Sequence, residues 1–121
     1  MKILTNNPWV KEKYKNKYEI HFADVGYLEL LELVRDGIHQ GDRLLSHPLS
    51  GSVKPNETPF KSVLVEEARG EIDMDSLLII EDALVMARNL MKNPKLFLED
   101  DQRMNDCRMI DLSLIDSALE K

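Results

Sequence analysis

Apolar residues recur along the chain at two spacings, one typical of helices and one typical of strands. Over residues 27–38 they recur every three or four positions, which predicts an amphipathic helix that Gly41 can end. A broad apolar stripe from Leu77 to Met91 predicts a second long helix, which Asp75 or Ser76 can cap. These two segments carry the clearest helical periodicity in the sequence.

Short apolar runs predict four strands beside these helices. Residues 2–4 have the pattern of a buried strand, and residues 18–22 alternate apolar and polar side chains as a half-covered strand does. Residues 44–45 and 62–65 predict the other two strands. Strands alternating with helices predict an α/β fold, here a single three-layer domain over residues 1–121 with a small, mostly parallel sheet flanked by helices. The last strand could instead pair antiparallel, as the arm of a hairpin.

Two shorter helices are predicted towards the ends of the chain. Residues 9–14 follow an Asn-Pro pair, in which Asn7 can cap a helix and Pro8 can occupy its first position. Residues 112–119 have the pattern of a terminal helix. The sequence does not decide which structure the short apolar run 96–98 adopts.

A long polar segment, residues 46–61, separates the third and fourth predicted strands. Its three prolines and one glycine exclude a continuous helix or a central strand. Loops of this length without secondary structure of their own are uncommon in small domains, and they are usually functional or disordered. The Ser, Thr, His, Asn and Lys side chains of this loop could line a polar or anionic ligand site.

The carboxyl ends of the first and third strands indicate where a ligand would bind. In open α/β sheets, ligands bind beyond the carboxyl ends of parallel strands, near a switch in strand order. If these two strands are parallel, the turn after the first and the loop after the third face one edge of the sheet. The residues expected to bind a small polar or anionic ligand there are Thr5, Asn6, Asn7, His47, Ser50, Gly51, Ser52, Lys54 and Lys61.

Each of these residues also has a structural interpretation, which the sequence leaves open. The asparagines can cap a helix, and the hydroxyls of the loop can bind its own backbone. His47 is the candidate acid or base because an imidazole titrates near neutral pH, but a histidine at a strand end is often structural. Ser50 to Ser52 could present backbone N–H groups to an anion, although the segment matches no phosphate-binding motif. No catalytic residue is therefore assigned beyond the candidate His47.

Composition and charge exclude several classes of protein. A net charge of −6 makes a sequence-independent nucleic-acid binder improbable, because such proteins need a concentrated basic surface. The single cysteine excludes an internal disulfide and a dithiol redox mechanism. No histidine pair has the spacing of a metal site, so neither a metal nor a cofactor is expected. Because no signal peptide or apolar run of about 18 residues occurs, we expect a soluble cytoplasmic protein that does not bind membranes.

Several segments together resemble one known family. They are residues 3–8, 11–14, 47–62, 76–82 and 110–115, of which the long loop is the most specific. With these segments the chain resembles the GrdX-like family, small proteins encoded beside the glycine, sarcosine and betaine reductase genes of anaerobes that ferment amino acids. The likeness covers nearly the whole chain.

The resemblance implies a metabolic setting and carries over no catalytic residue. It implies an accessory protein of amino-acid reductase metabolism, which would bind a small polar or anionic metabolite. One alternative is a small enzyme that uses His47 as acid or base, with Ser50 or Lys54 orienting an anionic substrate. Another is an interaction protein, whose loop or apolar surface near residues 96–98 and the terminal helix contacts a reductase subunit or a second copy of the chain.

Overall fold

The computed structural model describes residues 1–49, 54–67, 70–95 and 98–120, and these contain both strands and helices. The strands are β1 (Lys2–Thr5), β2 (Glu19–Phe22), β3 (Arg43–Leu44) and β4 (Ser62–Glu66). The helices are α1 (Pro8–Tyr14), α2 (Tyr27–His39), α3 (Met74–Leu90) and α4 (Asp101–Leu119). The predicted α/β fold is thus confirmed. In the described part of the chain, no helix is long and apolar enough to cross a membrane.

The strands form one mixed sheet in the order β2-β1-β4-β3. β1 and β2 are parallel, whereas β4 is antiparallel to both of its neighbours, β1 and β3. The predicted mostly parallel sheet is therefore wrong, and the alternative of an antiparallel last strand is confirmed. The physical reason lies between β3 and β4, where the described residues contain no helix. A parallel neighbour needs a long crossover connection, usually a helix, and without one β4 turns back along β3.

Alternate residues of β1 and β4 belong to two apolar clusters, each with its own helices. Leu4, Val63 and Val65 pack with residues of α2 and α3. Ile3 and Leu64 pack with residues of α1 and α4. Because successive side chains of a strand point to opposite faces, the two clusters lie on opposite sides of these strands.

Two of the predicted helix boundaries are found where the sequence places them. Asn7 is the N-cap of α1, and Pro8 is its first residue. Gly41 follows α2 with a φ of +113°, a conformation that glycine adopts without the clash of a Cβ atom. Its N–H donates to the carbonyl of Ile38 at 3.0 Å, which satisfies one of the last carbonyls of the helix.

The two C-terminal helices begin earlier than predicted, because aspartates outside the apolar pattern cap them. Asp73 precedes α3, and its Oδ2 accepts both the N–H and the hydroxyl of Ser76, at 3.1 and 2.6 Å. Asp100 precedes α4, and its Oδ1 accepts the N–H of Arg103 at 3.2 Å. The terminal helix thus starts well before Leu112, in a stretch whose polar residues hide its periodicity.

Candidate functional site

The polar turn after β1 is buried and is held by hydrogen bonds within it. Thr5 Oγ1 accepts the N–H of Asn7 at 2.9 Å. Asn7 Oδ1 accepts the N–H of Trp9 at 3.0 Å, which makes this side chain the cap of α1. The predicted cap is therefore confirmed for Asn7, whose exposed fraction is 0%.

Asn6 connects the turn to two other segments of the chain. Its Nδ2 donates to the carbonyls of Val25 and Pro59, at 2.9 and 2.8 Å. Its Oδ1 accepts the N–H of Lys61 at 2.8 Å, and its own N–H donates to the carbonyl of Lys61 at 3.3 Å. Asn6 thus holds the backbone after the end of β1 to the backbone just before β4.

Asp111 of α4 completes the network at this edge. Its Oδ1 accepts the N–H of Ser62 at 2.9 Å, and its Oδ2 accepts the Ser62 hydroxyl at 2.7 Å and Asn7 Nδ2 at 3.1 Å. The hydroxyls of Thr5 and Ser62 lie 2.6 Å apart. Since Ser62 donates to Asp111 and Thr5 Oγ1 accepts from Asn7, the Thr5 hydroxyl donates to Ser62. The result is a chain of hydrogen bonds that runs from Thr5 through Ser62 to the Asp111 carboxylate.

Burial changes the titration of two charged groups here. Lys61 is 3% exposed, and burial lowers the pKa of its ammonium group, an effect that the Asp111 carboxylate opposes. Burial likewise raises the pKa of Asp111. The hydrogen bonds from Ser62 and Asn7 and the charge of Lys61 act in the opposite direction and lower it. Burial also raises the pKa of the nearby Tyr27, with a further contribution from Asp111. Perturbed groups of this kind cluster at functional sites, although structural networks also produce them.

Lys61 and Asp111 line one depression at the end of the sheet. The other residues that line it are Tyr27, Thr58, Phe60, Cys107, Ile110 and Leu114. Its free volume is about 10 Å³, close to the space that one water molecule needs. A larger ligand can reach Lys61 here only if the lining side chains move.

The structure places His47 in a different cleft. His47 is exposed, and its Nδ1 accepts the N–H of Leu49 at 3.0 Å. The cleft has a volume of about 560 Å³ and is lined by Met1, Leu45, Ser46, His47, Leu64, Leu114, Ser117, Ala118 and Leu119. Of these residues only Leu114 also lines the depression at Lys61. His47 and Lys61 therefore face two separate openings.

Lys54 lies at a third position. It is exposed, its N–H donates to Glu57 Oε1 at 3.3 Å, and it lines a cleft near the end of α3 together with Asn56 and Asn93. Ser50, Gly51 and Ser52, the remaining predicted site residues, lie outside the described residues. Of the expected set, the structure thus brings together Thr5, Asn6, Asn7 and Lys61.

Sequence reasoning missed Ser62 and Asp111, which link the turn to α4. Asp111 does leave a signal, because it is spaced by four positions from Cys107 and from Ile115. Ile115 is buried on the inner side of α4, so Asp111 occupies an apolar phase of that helix. A lone acidic residue in an apolar phase indicates a buried polar partner.

Three exposed side chains elsewhere lie close enough to hold a cation. They are Glu19, His21 and Glu67, whose ligand atoms lie within 4.8 Å of one another in the described part of the chain. A hydrogen bond of 2.8 Å joins Glu19 Oε2 to His21 Nε2. The Lys2 ammonium lies 3.3 Å from Glu67 Oε1. The group is therefore explained by its own hydrogen bond and by the ion pair with Lys2.

Comparisons with known proteins place the chain in a family. A search of curated proteins and a search of solved structures each gave no significant match. The family model described as GrdX-like protein matches residues 2–120, which is almost the whole chain. The chain therefore belongs to the GrdX-like family.

Proposed function

We propose that this protein is an accessory protein of glycine, sarcosine or betaine reductase metabolism, and that it binds a small polar or anionic ligand where β1 ends. Membership of the GrdX-like family supports the association with glycine reductase-related genes. In this proposal Lys61 binds the ligand, and Thr5, Asn6 and Asn7 hold its surroundings in place. The predicted loop residues His47 and Lys54 line other clefts and are not part of this site. Ser50, Gly51 and Ser52 stay a prediction. We also propose that the domain has three layers, with helices on both faces of the sheet, and that the protein is cytoplasmic.

The observation that carries the ligand site is the buried ammonium group of Lys61. Lysine is almost never buried without a charged partner, since desolvation of an ammonium group is costly. Here Lys61 lines a depression together with Asp111, at the carboxyl end of β1. A ligand carboxylate or phosphate would gain a charge-assisted hydrogen bond from Lys61 in surroundings with little water.

The turn residues have a positioning role in this proposal. Asn6 holds the backbone of Lys61 through its Oδ1, and Asn7 and Ser62 hold Asp111. The small free volume restricts the ligand, since it leaves room for about one water molecule unless the lining side chains separate. Glycine, sarcosine and betaine each carry one carboxylate of this size.

A thermal-shift screen tests the proposal. The compounds are glycine, sarcosine, betaine, acetyl phosphate and inorganic phosphate, measured with the native protein and with Lys61→Met and Lys54→Ala. A ligand that binds only the folded state stabilises it by about 2.7 kcal/mol at 100 times its Kd, which raises the melting temperature. We expect one compound to produce a shift that Lys61→Met removes and that the exposed-lysine control Lys54→Ala weakens only slightly.

Calorimetric titration at a temperature where every variant is folded separates lost binding from lost stability. An equal affinity in the native protein and in Lys61→Met would contradict the site. No shift with any compound would favour the alternative of an interaction with a reductase subunit, which a pull-down with purified subunits would then test.

The enzyme alternative rests on His47 and its separate cleft. Because Nδ1 accepts the Leu49 N–H, the Nε2 atom of a neutral His47 carries the proton and would be the acid. The screen also discriminates this alternative, since His47→Ala should leave binding at Lys61 unchanged if our proposal is correct. A loss of binding in His47→Ala would move the site to the cleft of His47.

A further inference from the structure

The outward side of α3 carries large apolar side chains that the other described residues leave exposed. These side chains are 37–60% exposed and belong to Met74, Leu78, Ile79, Val85 and Met86. The opposite side of the same helix supplies Ile80, Leu84 and Ala87 to the core. The exposed Asp75 and Asp82 lie among them on the same side of the helix. So much exposed apolar surface on one helix still has the composition of an interface.

The neighbouring helix α2 shows that this exposure is specific to α3. α2 also packs on the core, with Leu30, Leu31 and Val34 among its buried residues. Within Tyr27–His39, Leu33 is the one large apolar side chain that is exposed. α2 thus has the ordinary pattern of a helix with one face in water, and α3 does not.

The charges of α3 indicate what covers it. Asp75, Glu81 and Asp82 lie in its first and middle turns, whereas Arg88 lies in its last turn and Lys92 just beyond. A second α3 that runs antiparallel would bring the basic end of each helix towards the acidic part of the other. We propose that α3 packs antiparallel against α3 of a second copy of this chain, and so forms a dimer with two-fold symmetry.

The spacing of Glu81 and Arg88 supports this register. They are seven residues apart, so they lie on the same flank of the helix. In a two-fold antiparallel pair the same flanks of both helices meet, so Glu81 of each copy faces Arg88 of the other. Among the described residues, Arg88 forms a 3.9 Å ion pair with Glu32, and its side chain is 48% exposed, which leaves its guanidinium accessible to a second copy.

The length of α3 limits the area that the dimer can bury. α3 has 17 residues and is therefore about 25 Å long. Two helices of this length bury less than the roughly 1,600 Å² of a standard interface. We therefore expect the population of the dimer to depend on protein concentration.

Sedimentation velocity over a series of protein concentrations tests the proposal. The native chain should shift from monomer to dimer as its concentration rises. Leu78→Glu and Val85→Glu place a charge in the apolar surface and should give monomers at every concentration. Met109→Glu is the matched control, since Met109 is 51% exposed on α4 and should leave the dimer unchanged. Circular dichroism verifies that each variant is folded.

A charge exchange tests the antiparallel register. Glu81→Arg alone should weaken the dimer about tenfold, because two attractive pairs become repulsive. The double variant Glu81→Arg with Arg88→Glu restores opposite charges and should recover most of the native affinity. A native chain that stays monomeric at the highest concentration would overturn the proposal, as would a dimer that survives Leu78→Glu or a double variant weaker than Glu81→Arg alone.

Discussion

The two strand ends that the sequence places at one edge of the sheet have opposite surroundings in the structure. The end of β1, from Thr5 to Asn7, is buried and hydrogen-bonded to Asp111 of α4. The segment after β3 leaves His47 exposed beside a separate cleft. The difference teaches that strand direction alone does not make a site. The β1 end becomes a buried polar centre because α4, which is distant in sequence, supplies a carboxylate to it.

The largest expected effect is that of Asp111→Ala. The substitution leaves the Ser62 N–H, the Ser62 hydroxyl and Asn7 Nδ2 without the acceptor that they share. Because buried donors without a partner are costly, we expect a loss of about 3–5 kcal/mol in the free energy of unfolding. Urea denaturation followed by circular dichroism measures it. Asp106→Ala removes an exposed carboxylate of the same helix and should change stability by less than about 0.5 kcal/mol.

Asn7→Ala should cost less, about 2–3 kcal/mol, since it removes the cap of α1 and the donor to Asp111 together. Asn7→Ser separates these contributions. Its hydroxyl can still accept the N–H of Trp9, but it cannot reach Asp111 or the carbonyl of Arg108. In urea denaturation we expect Asn7→Ser to fall between the native chain and Asn7→Ala. Equal losses for both variants would mean that only the network with α4 matters.

Lys61→Met should change how stability depends on pH. The pKa of Lys61 is lowered in the folded chain, so in the window between that pKa and its ordinary value of 10.5 the unfolded chain binds more protons. The native free energy of unfolding should therefore rise with pH through this window, and the rise should be absent in Lys61→Met. The difference between the two proteins, from urea denaturation at a series of pH values, isolates Lys61 from tyrosines and other lysines. Parallel pH profiles would contradict the lowered pKa.

The smallest expected effect is that of His47→Ala. The side chain is exposed, and among the bonds described here it accepts the Leu49 N–H. We expect a change in the free energy of unfolding within about 0.5 kcal/mol, as for most surface substitutions. A loss as large as that of Asn7→Ala would show that the two strand ends are more alike than the structure indicates.

The sequence predicted local structure better than it predicted pairing. Asn7, Pro8 and Gly41 were informative because capping and positive φ are properties of a few adjacent residues. The direction of β4 was not predictable in the same way, since it depends on how the segment after β3 returns. Strand-helix alternation favours parallel neighbours, and here the connection without a described helix reverses the strand.

Of the candidate site, the turn after β1 was predictable from the sequence, whereas the contribution of α4 was not. Thr5, Asn6 and Asn7 follow an apolar strand, so the sequence places them at its end. Asp111 sits in a helix whose polar residues obscure its buried side, and its partner Asn7 is 104 residues away along the chain. A contact of that kind is set by tertiary packing, and no local pattern specifies which helix reaches the turn.

The most direct test of the ligand site is to follow backbone amide signals by NMR while glycine, sarcosine or betaine is added to the native protein. Our account predicts that one compound shifts the signals of residues 5–7, 61–62 and 111 at the lowest concentrations and leaves those of residues 45–47 in place. The same titration of Lys61→Met should leave these signals in place. Shifts confined to residues 45–47 and 117–119 would contradict the account and assign the site to the cleft of His47.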